Sequence, residues 1–138
     1  MCADAAERVV LVVEDEALLR ATIVDELRAY GWEVLEATSG EHAVTLITNN
    51  RIDVVFTDIK LAGVMSGWET AEALRATIPD VPILYTSGNA CDPTRQVAGS
   101  LFIGKPYEAS FVIEACHDLL SNAEEADQAR GETNHHRI

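Results

Sequence analysis

Three observations predict an α/β architecture: a doubly wound parallel sheet of five strands with helices on both faces. Short apolar runs such as VVLVV (9–13) and VVFT (54–57) lack polar alternation, the composition of strands covered on both sides. Between such runs lie segments whose apolar residues recur at helical spacing. The two patterns alternate along the chain, which implies right-handed parallel crossovers between successive strands.

The elements follow in order. After the first strand, Leu19, Ile23 and Leu27 mark a helix, and Gly31 stands at its C-terminal glycine position. WEVLEA (32–37) reads as a strand, and the next helix is capped by Ser39 and ends at Asn49 and Asn50. The third strand, IDVVFT (52–57), leads into the loop DIKLAGVMSG (58–67) and a helix, WETAEALRATI (68–78), that Pro79 closes. VPILYTS (81–87) is the fourth strand. Asp92 as N-cap and Pro93 at the first helical position predict a short fourth helix. LFI (101–103) is a brief fifth strand, and Phe111, Val112, Ala115, Cys116, Leu119 and Leu120 stripe a fifth helix. From Asn122 the chain turns polar. Residues 1–8 therefore read as an N-terminal extension, 9–121 as one domain, and 122–138 as a polar, mobile tail with helix at most at its start.

Composition removes several function classes. A net charge of −13 with ten scattered basic residues argues against a nucleic-acid partner, which needs clustered Lys and Arg. Cys2, Cys91 and Cys116 have neither paired nor C-x-x-C spacing, so no disulfide framework or zinc site is indicated. No apolar run is long enough for a membrane span, and a cytoplasmic location is expected. His42 and His117 in helices, and His135 and His136 in the tail, read as ordinary surface or half-buried residues. Trp68 reads as packing, with use as a fluorescence reporter.

The run VVFTD (54–58) raises the functional question, because a buried strand ends on a carboxylate that loses hydration there. In doubly wound sheets, sites form beyond the carboxyl ends of the strands. That edge receives Glu14, Asp15 and Glu16 after strand one, Asp58 at strand three, Thr86 and Ser87 at strand four, and Lys105 after strand five. Glu14, Asp15 and Asp58 together would repel unless a cation lay among them, and an all-oxygen donor set selects a hard ion, Mg2+ first and Mn2+ as an alternative. A nucleophilic carboxylate, a metal, the Lys105 ammonium and the Ser87 hydroxyl are the parts that phosphoryl transfer to an aspartate requires.

VLVVEDE, VVFTD, ILYTSG and GKPY, in this order, resemble the receiver domain of two-component response regulators, of the stand-alone chemotaxis-receiver type, over residues 9–120. The resemblance implies a flavodoxin-like sheet of order 2-1-3-4-5. It implies that Asp58 is the phosphoacceptor, receiving phosphorus from the phosphohistidine of a kinase or a phosphotransfer protein. Glu14, Asp15, Asp58 and the backbone carbonyl of Lys60 would bind Mg2+. Ser87, rather than Thr86, would be the switch hydroxyl, since Gly88 supplies the small residue that follows it. Lys105 would read the phosphoryl group, its bond to Pro106 being a candidate cis peptide. Phe102 falls at the aromatic switch position, and Lys60 and Asn89 at positions that tune phosphate lifetime. The face of the fourth helix, fifth strand and fifth helix would bind a downstream protein target, the chain being a monomer or weak dimer. Three departures stand out: Phe102 carries no hydroxyl, the 58–67 loop is one residue longer than the commonest pattern, and Ala62 replaces a usual proline.

The expected protein is thus a phosphorylation-controlled binding switch and not an enzyme acting on a separate substrate. The alternative is a constitutive pseudo-receiver interaction module, against which the intact Asp58, acidic pair and Lys105 argue. An aspartyl-phosphate hydrolase would want a second acid where Lys60 stands, and a flavin site would want a hydroxyl- and glycine-rich phosphate loop where EDEALLR (14–20) stands.

Overall fold

A computed structural model describes residues 8–89 and 92–136, with side chains through residue 126. Five strands, β1 (Val9–Val13), β2 (Glu33–Ala37), β3 (Val54–Asp58), β4 (Ile83–Ser87) and β5 (Leu101–Gly104), form one parallel sheet of order β2-β1-β3-β4-β5. Among the described residues there are four helices, α1 (Ala17–Tyr30), α2 (Gly40–Asn49), α3 (Gly67–Thr77) and α4 (Ala109–His136). The doubly wound, flavodoxin-like class read from the sequence is the one observed.

Alternation within the apolar strands explains the two-sided core. Val10, Val12, Val54, Phe56 and Leu84 face α1 and α4, packing on Ile23, Leu27, Val112 and Cys116. Leu11, Val13, Val55, Ile83 and Tyr85 face α2 and α3, packing on Ala43, Ile47, Ala71 and Leu74. Successive side chains of a strand point to opposite faces, so a strand covered on both sides must be apolar at every position. Gly31 ends α1 at φ +113°, and Ser39 caps α2 by accepting from the His42 N–H at 3.1 Å. At α3, Ser66 and Glu69 form a reciprocal capping box that the sequence reading passed over.

Two expectations are corrected. The helix predicted after Asp92 is instead a turn at residues 93–95 among the described residues. Asp92 Oδ1 accepts from both the backbone N–H and the hydroxyl of Thr94, at 3.0 and 2.6 Å, as an N-cap does, and the Arg95 N–H donates to the Asp92 carbonyl at 3.1 Å, so the expected cap forms but closes a single turn. Counting from the described elements, the expected fifth helix is therefore α4. That helix runs on to His136 through the segment read as a mobile tail, and Arg8 pairs with Glu124 on it. Apolar periodicity is absent there, but the run contains no proline and has ordinary helix formers such as alanine and glutamate in its first half, so nothing local stops the helix at Asn122.

Candidate functional site at the carboxyl edge of the sheet

Register assembles the site. Val13 pairs with Thr57, Asp58 with Thr86, and Ser87 with Gly104, so the residues next along each strand, Glu14 and Lys105 among them, meet at one end of the sheet. Asp58 is 5% and Glu14 3% exposed, whereas Asp15 on the β1–α1 turn is open to solvent.

Lys105 Nζ reaches Asp58 Oδ2 at 2.5 Å and Glu14 Oε1 at 3.4 Å. The other Asp58 oxygen, Oδ1, accepts from the Lys60 backbone N–H at 3.1 Å. Glu14 Oε2 accepts from the Glu16 N–H at 3.1 Å, and Asp15 Oδ2 from the Ala62 N–H at 3.1 Å. Carboxylate oxygens of Glu14, Asp15 and Asp58 all lie within 4.8 Å of one another, close enough to share one ion. The donors are all oxygen, and three carboxylates against one ammonium leave an excess of negative charge, so the residues fit a hard divalent cation.

Electrostatics records that excess. Burial, with the nearby Asp58 charge adding to it against a backbone hydrogen bond and Lys105, pushes the Glu14 carboxyl up to about 7. Burial alone would lower the Lys105 ammonium, but its hydrogen bond and charge pairing with Asp58, then Glu14, outweigh burial and raise it. Tyr107, buried beside the same acids, is pushed up to about 12.

The other expected residues fall into two groups. Ser87 is buried and its Oγ accepts from the Asn89 N–H at 3.0 Å; both line an open groove of about 460 Å3 with Lys60, Leu61, Val64 and Trp68. Thr86 lies inside β4, its buried hydroxyl without a hydrogen-bond partner. Phe102 stands on β5 opposite Tyr85, half-buried against the α2–α3 side of the core. The Lys105–Pro106 peptide is cis.

Sequence reasoning missed the groups that hold this edge. Arg20 donates to the Glu14 backbone carbonyl at 2.9 Å and to Glu36 Oε1 at 3.1 Å, pinning the turn that carries the acidic pair. Gly67 lets α3 start against the end of β3: a Cβ there would lie 2.1 Å from the Asp58 carbonyl oxygen. Arg20 reads as surface charge from sequence because its partners come from two different strand ends.

A family model described as the response regulator receiver domain matches residues 10–116. The transcriptional regulatory protein PdtaR of Mycobacterium tuberculosis is 32% identical over 135 residues, covering 94% of this chain and 65% of its own. The chain spans only part of the first curated relatives it matches, from 13% to 65% of their length. A response regulator receiver protein from Sinorhizobium medicae superposes with a TM-score of 0.79 at 30% identity, over 83% of this chain and 95% of that one. The receiver domain of the sensor histidine kinase PA1611 from Pseudomonas aeruginosa, whose active-site cleft coordinates a magnesium ion, superposes with a TM-score of 0.74 at 25% identity, over 83% and 98%.

Proposed function

This chain belongs to the response regulator receiver domain family, and we propose that Asp58 is its phosphoacceptor, loaded by a phosphohistidine of a histidine kinase or phosphotransfer protein. The observation that carries the reading is the pairing of Asp58 with Lys105 at 2.5 Å inside a ring of oxygen donors at the sheet edge. In the transfer, an Asp58 oxygen attacks phosphorus, the P–N bond to the donor imidazole breaks with its electron pair, and an acyl phosphate forms. Glu14, Asp15, Asp58 and the Lys60 carbonyl would hold Mg2+, or Mn2+ in its place, and that ion supplies the charge neutralisation which phosphoryl transfer needs. Its presence in the cleft of the similar PA1611 receiver supports the choice.

The chain's own groups do the rest. Lys105, paired with Asp58, would exchange its carboxylate contact for a phosphoryl oxygen, and the Ser87 hydroxyl would donate to another. Drawing Ser87 inward frees the Asn89 N–H and moves β4 against Phe102, whose half-buried ring repacks without a terminal hydroxyl to anchor it. The altered surface of β5, the Asp92–Ser100 segment and α4 then changes affinity for a downstream protein. Lys60 and Asn89 flank the groove beside Asp58 and tune phosphate lifetime. The protein works as a cytoplasmic phosphorelay or signalling switch that assists its own phosphorylation and dephosphorylation, without turning over a separate substrate; among the described residues no helix is long and apolar enough to cross a membrane.

Intact-protein mass after incubation with acetyl phosphate, with and without Mg2+, tests the reading. A Mg2+-dependent gain of one phosphoryl group, absent in Asp58→Ala, is expected. No gain in folded protein, sampled at times short enough to catch a labile acyl phosphate, would leave a constitutive interaction module.

A further inference from the structure

The loop after Asp58 hangs on a row of carboxylates. Every second backbone N–H donates to one: Lys60 to Asp58 at 3.1 Å, Ala62 to Asp15 at 3.1 Å, Val64 to Glu41 Oε2 at 3.0 Å, and Ser66 to Glu69 at 2.9 Å. The first two acceptors belong to the cation site. Glu69 is the capping acid of α3, held below the usual carboxyl range chiefly by the Ser66 N–H. Glu41 comes from a separate helix, the first turn of α2, 23 residues away in sequence.

Two glycines bring Glu41 to the loop. A Cβ on Gly40 would lie 2.1 Å from Thr70 Oγ1 and 3.0 Å from Met65 Cβ, so α2 begins in direct contact with α3 and the loop. Gly63 turns at φ +93°, and a Cβ there would lie 3.1 Å from Glu41 Oε1, so the chain bends at contact distance over that carboxylate. Ile59 and Leu61 pack on the core and the Gly67 N–H donates to the Ile59 carbonyl at 2.7 Å, so the base of the loop is held, whereas at its tip Val64 is 90% exposed and the proline usual at Ala62 is absent. Hydrogen bonds to an ionised acceptor are about twice as strong as neutral ones, so Glu41 is a substantial anchor even at the surface.

We propose that Glu41 is a positioning residue for the cation site, holding the outer half of the 59–66 loop so that the Lys60 carbonyl stays in place when Asp15 is recruited from the Ala62 N–H. The inference rests on the Mg2+ reading above. Without Glu41, cation binding would loosen the Ala62 anchor in a loop already missing the one at Val64. The lengthened loop and its missing proline are thereby offset by a clamp from the neighbouring helix.

The test compares the full chain with Glu41→Ala and Glu41→Gln, titrating with Mg2+ alone by calorimetry and following Val64 amide exchange and the melting temperature. Expected are Mg2+ binding weaker by roughly tenfold in Glu41→Ala, the low end for loss of a group that orients metal ligands, and faster exchange at Val64. Melting should fall only slightly, and Glu41→Gln, which keeps a neutral oxygen acceptor making the weaker bond, should recover part of the affinity. Equal Mg2+ affinity in wild type and Glu41→Ala, or equal losses in the Ala and Gln variants accompanied by a marked fall in melting, would overturn the positioning role. A wild-type chain that takes up no Mg2+ would instead overturn the cation reading on which it rests.

Discussion

Lys105 lies between two buried acids, and the balance among these three groups sets what the edge can bind. Its removal leaves Glu14 and Asp58 without the ammonium now 3.4 and 2.5 Å away. Lys105→Ala should therefore bind Mg2+ more tightly, by at least about tenfold, the effect of one like charge about 6 Å from a dication even at the dielectric of bulk water, while losing phosphoryl uptake. Calorimetric titration checks it; weaker Mg2+ binding in the variant would show that Lys105 supports the cation. The Glu14 carboxyl predicts a pH response whose sign follows from its shift, upward from 4.5 to about 7 and caused first by burial. A carboxyl raised in the folded state adds stability that is complete below its unfolded pKa and lost as pH rises through the folded one. Melting without divalent cation should thus fall between about 4.5 and 7. Mg2+ affinity should rise over the same interval as the cation displaces the proton, and saturating Mg2+ should flatten the fall in melting. A melting temperature constant across that range would remove Glu14 from the ledger of buried charge. At this scale the sequence carried far: Asp58, Glu14, Asp15 and Lys105 were legible because acids and a rare lysine end otherwise apolar strands. Arg20 and Glu41 were not, since each acts on a backbone group brought near it only by folding.

Among the elements, two glycines that look alike in sequence do different work. Gly31 closes α1 at φ +113° with nothing within 4 Å of a Cβ, so Gly31→Ala should cost only the strain of the left-handed backbone, about 1 to 2 kcal/mol. At Gly67 a Cβ would meet the Asp58 carbonyl oxygen at 2.1 Å and Ile59 Cα at 2.6 Å, both backbone atoms that cannot turn aside. Gly67→Ala should cost about 3 kcal/mol or more and weaken Mg2+ binding as well, because it pushes α3 off the strand that presents Asp58. Urea denaturation of the two variants checks the contrast; equal losses would mean that α3 shifts freely. Gly31 was readable as a helix end from its place after the periodic run, whereas nothing local marks Gly67 as a point of close approach. The turn at residues 93–95 teaches the same lesson in reverse. An aspartate followed by proline has the local features of a helix start, and the cap bond from Thr94 to Asp92 forms, but the chain turns at Gly99, φ +75°, and enters β5 at Leu101 before a helix can grow.

For the molecule as a whole, a sheet buried on both faces divides the core into two clusters that share no side chains. Leu27 anchors one and Leu74 the other, both fully buried. Each, changed to alanine, should cost about 2 to 5 kcal/mol, and the double variant should lose the sum to within about 0.5 kcal/mol. A marked excess in a double-mutant cycle would show that the sheet transmits strain between its faces. The sequence by itself determined the strand–helix alternation, the two-sided burial and the acids at the strand ends, because these depend on periodicity and composition that each segment carries alone. Only the tertiary structure decided which groups hold that edge together. Register set Lys105 between Glu14 and Asp58, and glycine contacts brought Glu41 to the loop. The physical reason is that hydrogen bonds and ion pairs between distant segments depend on distances that no single stretch of chain encodes.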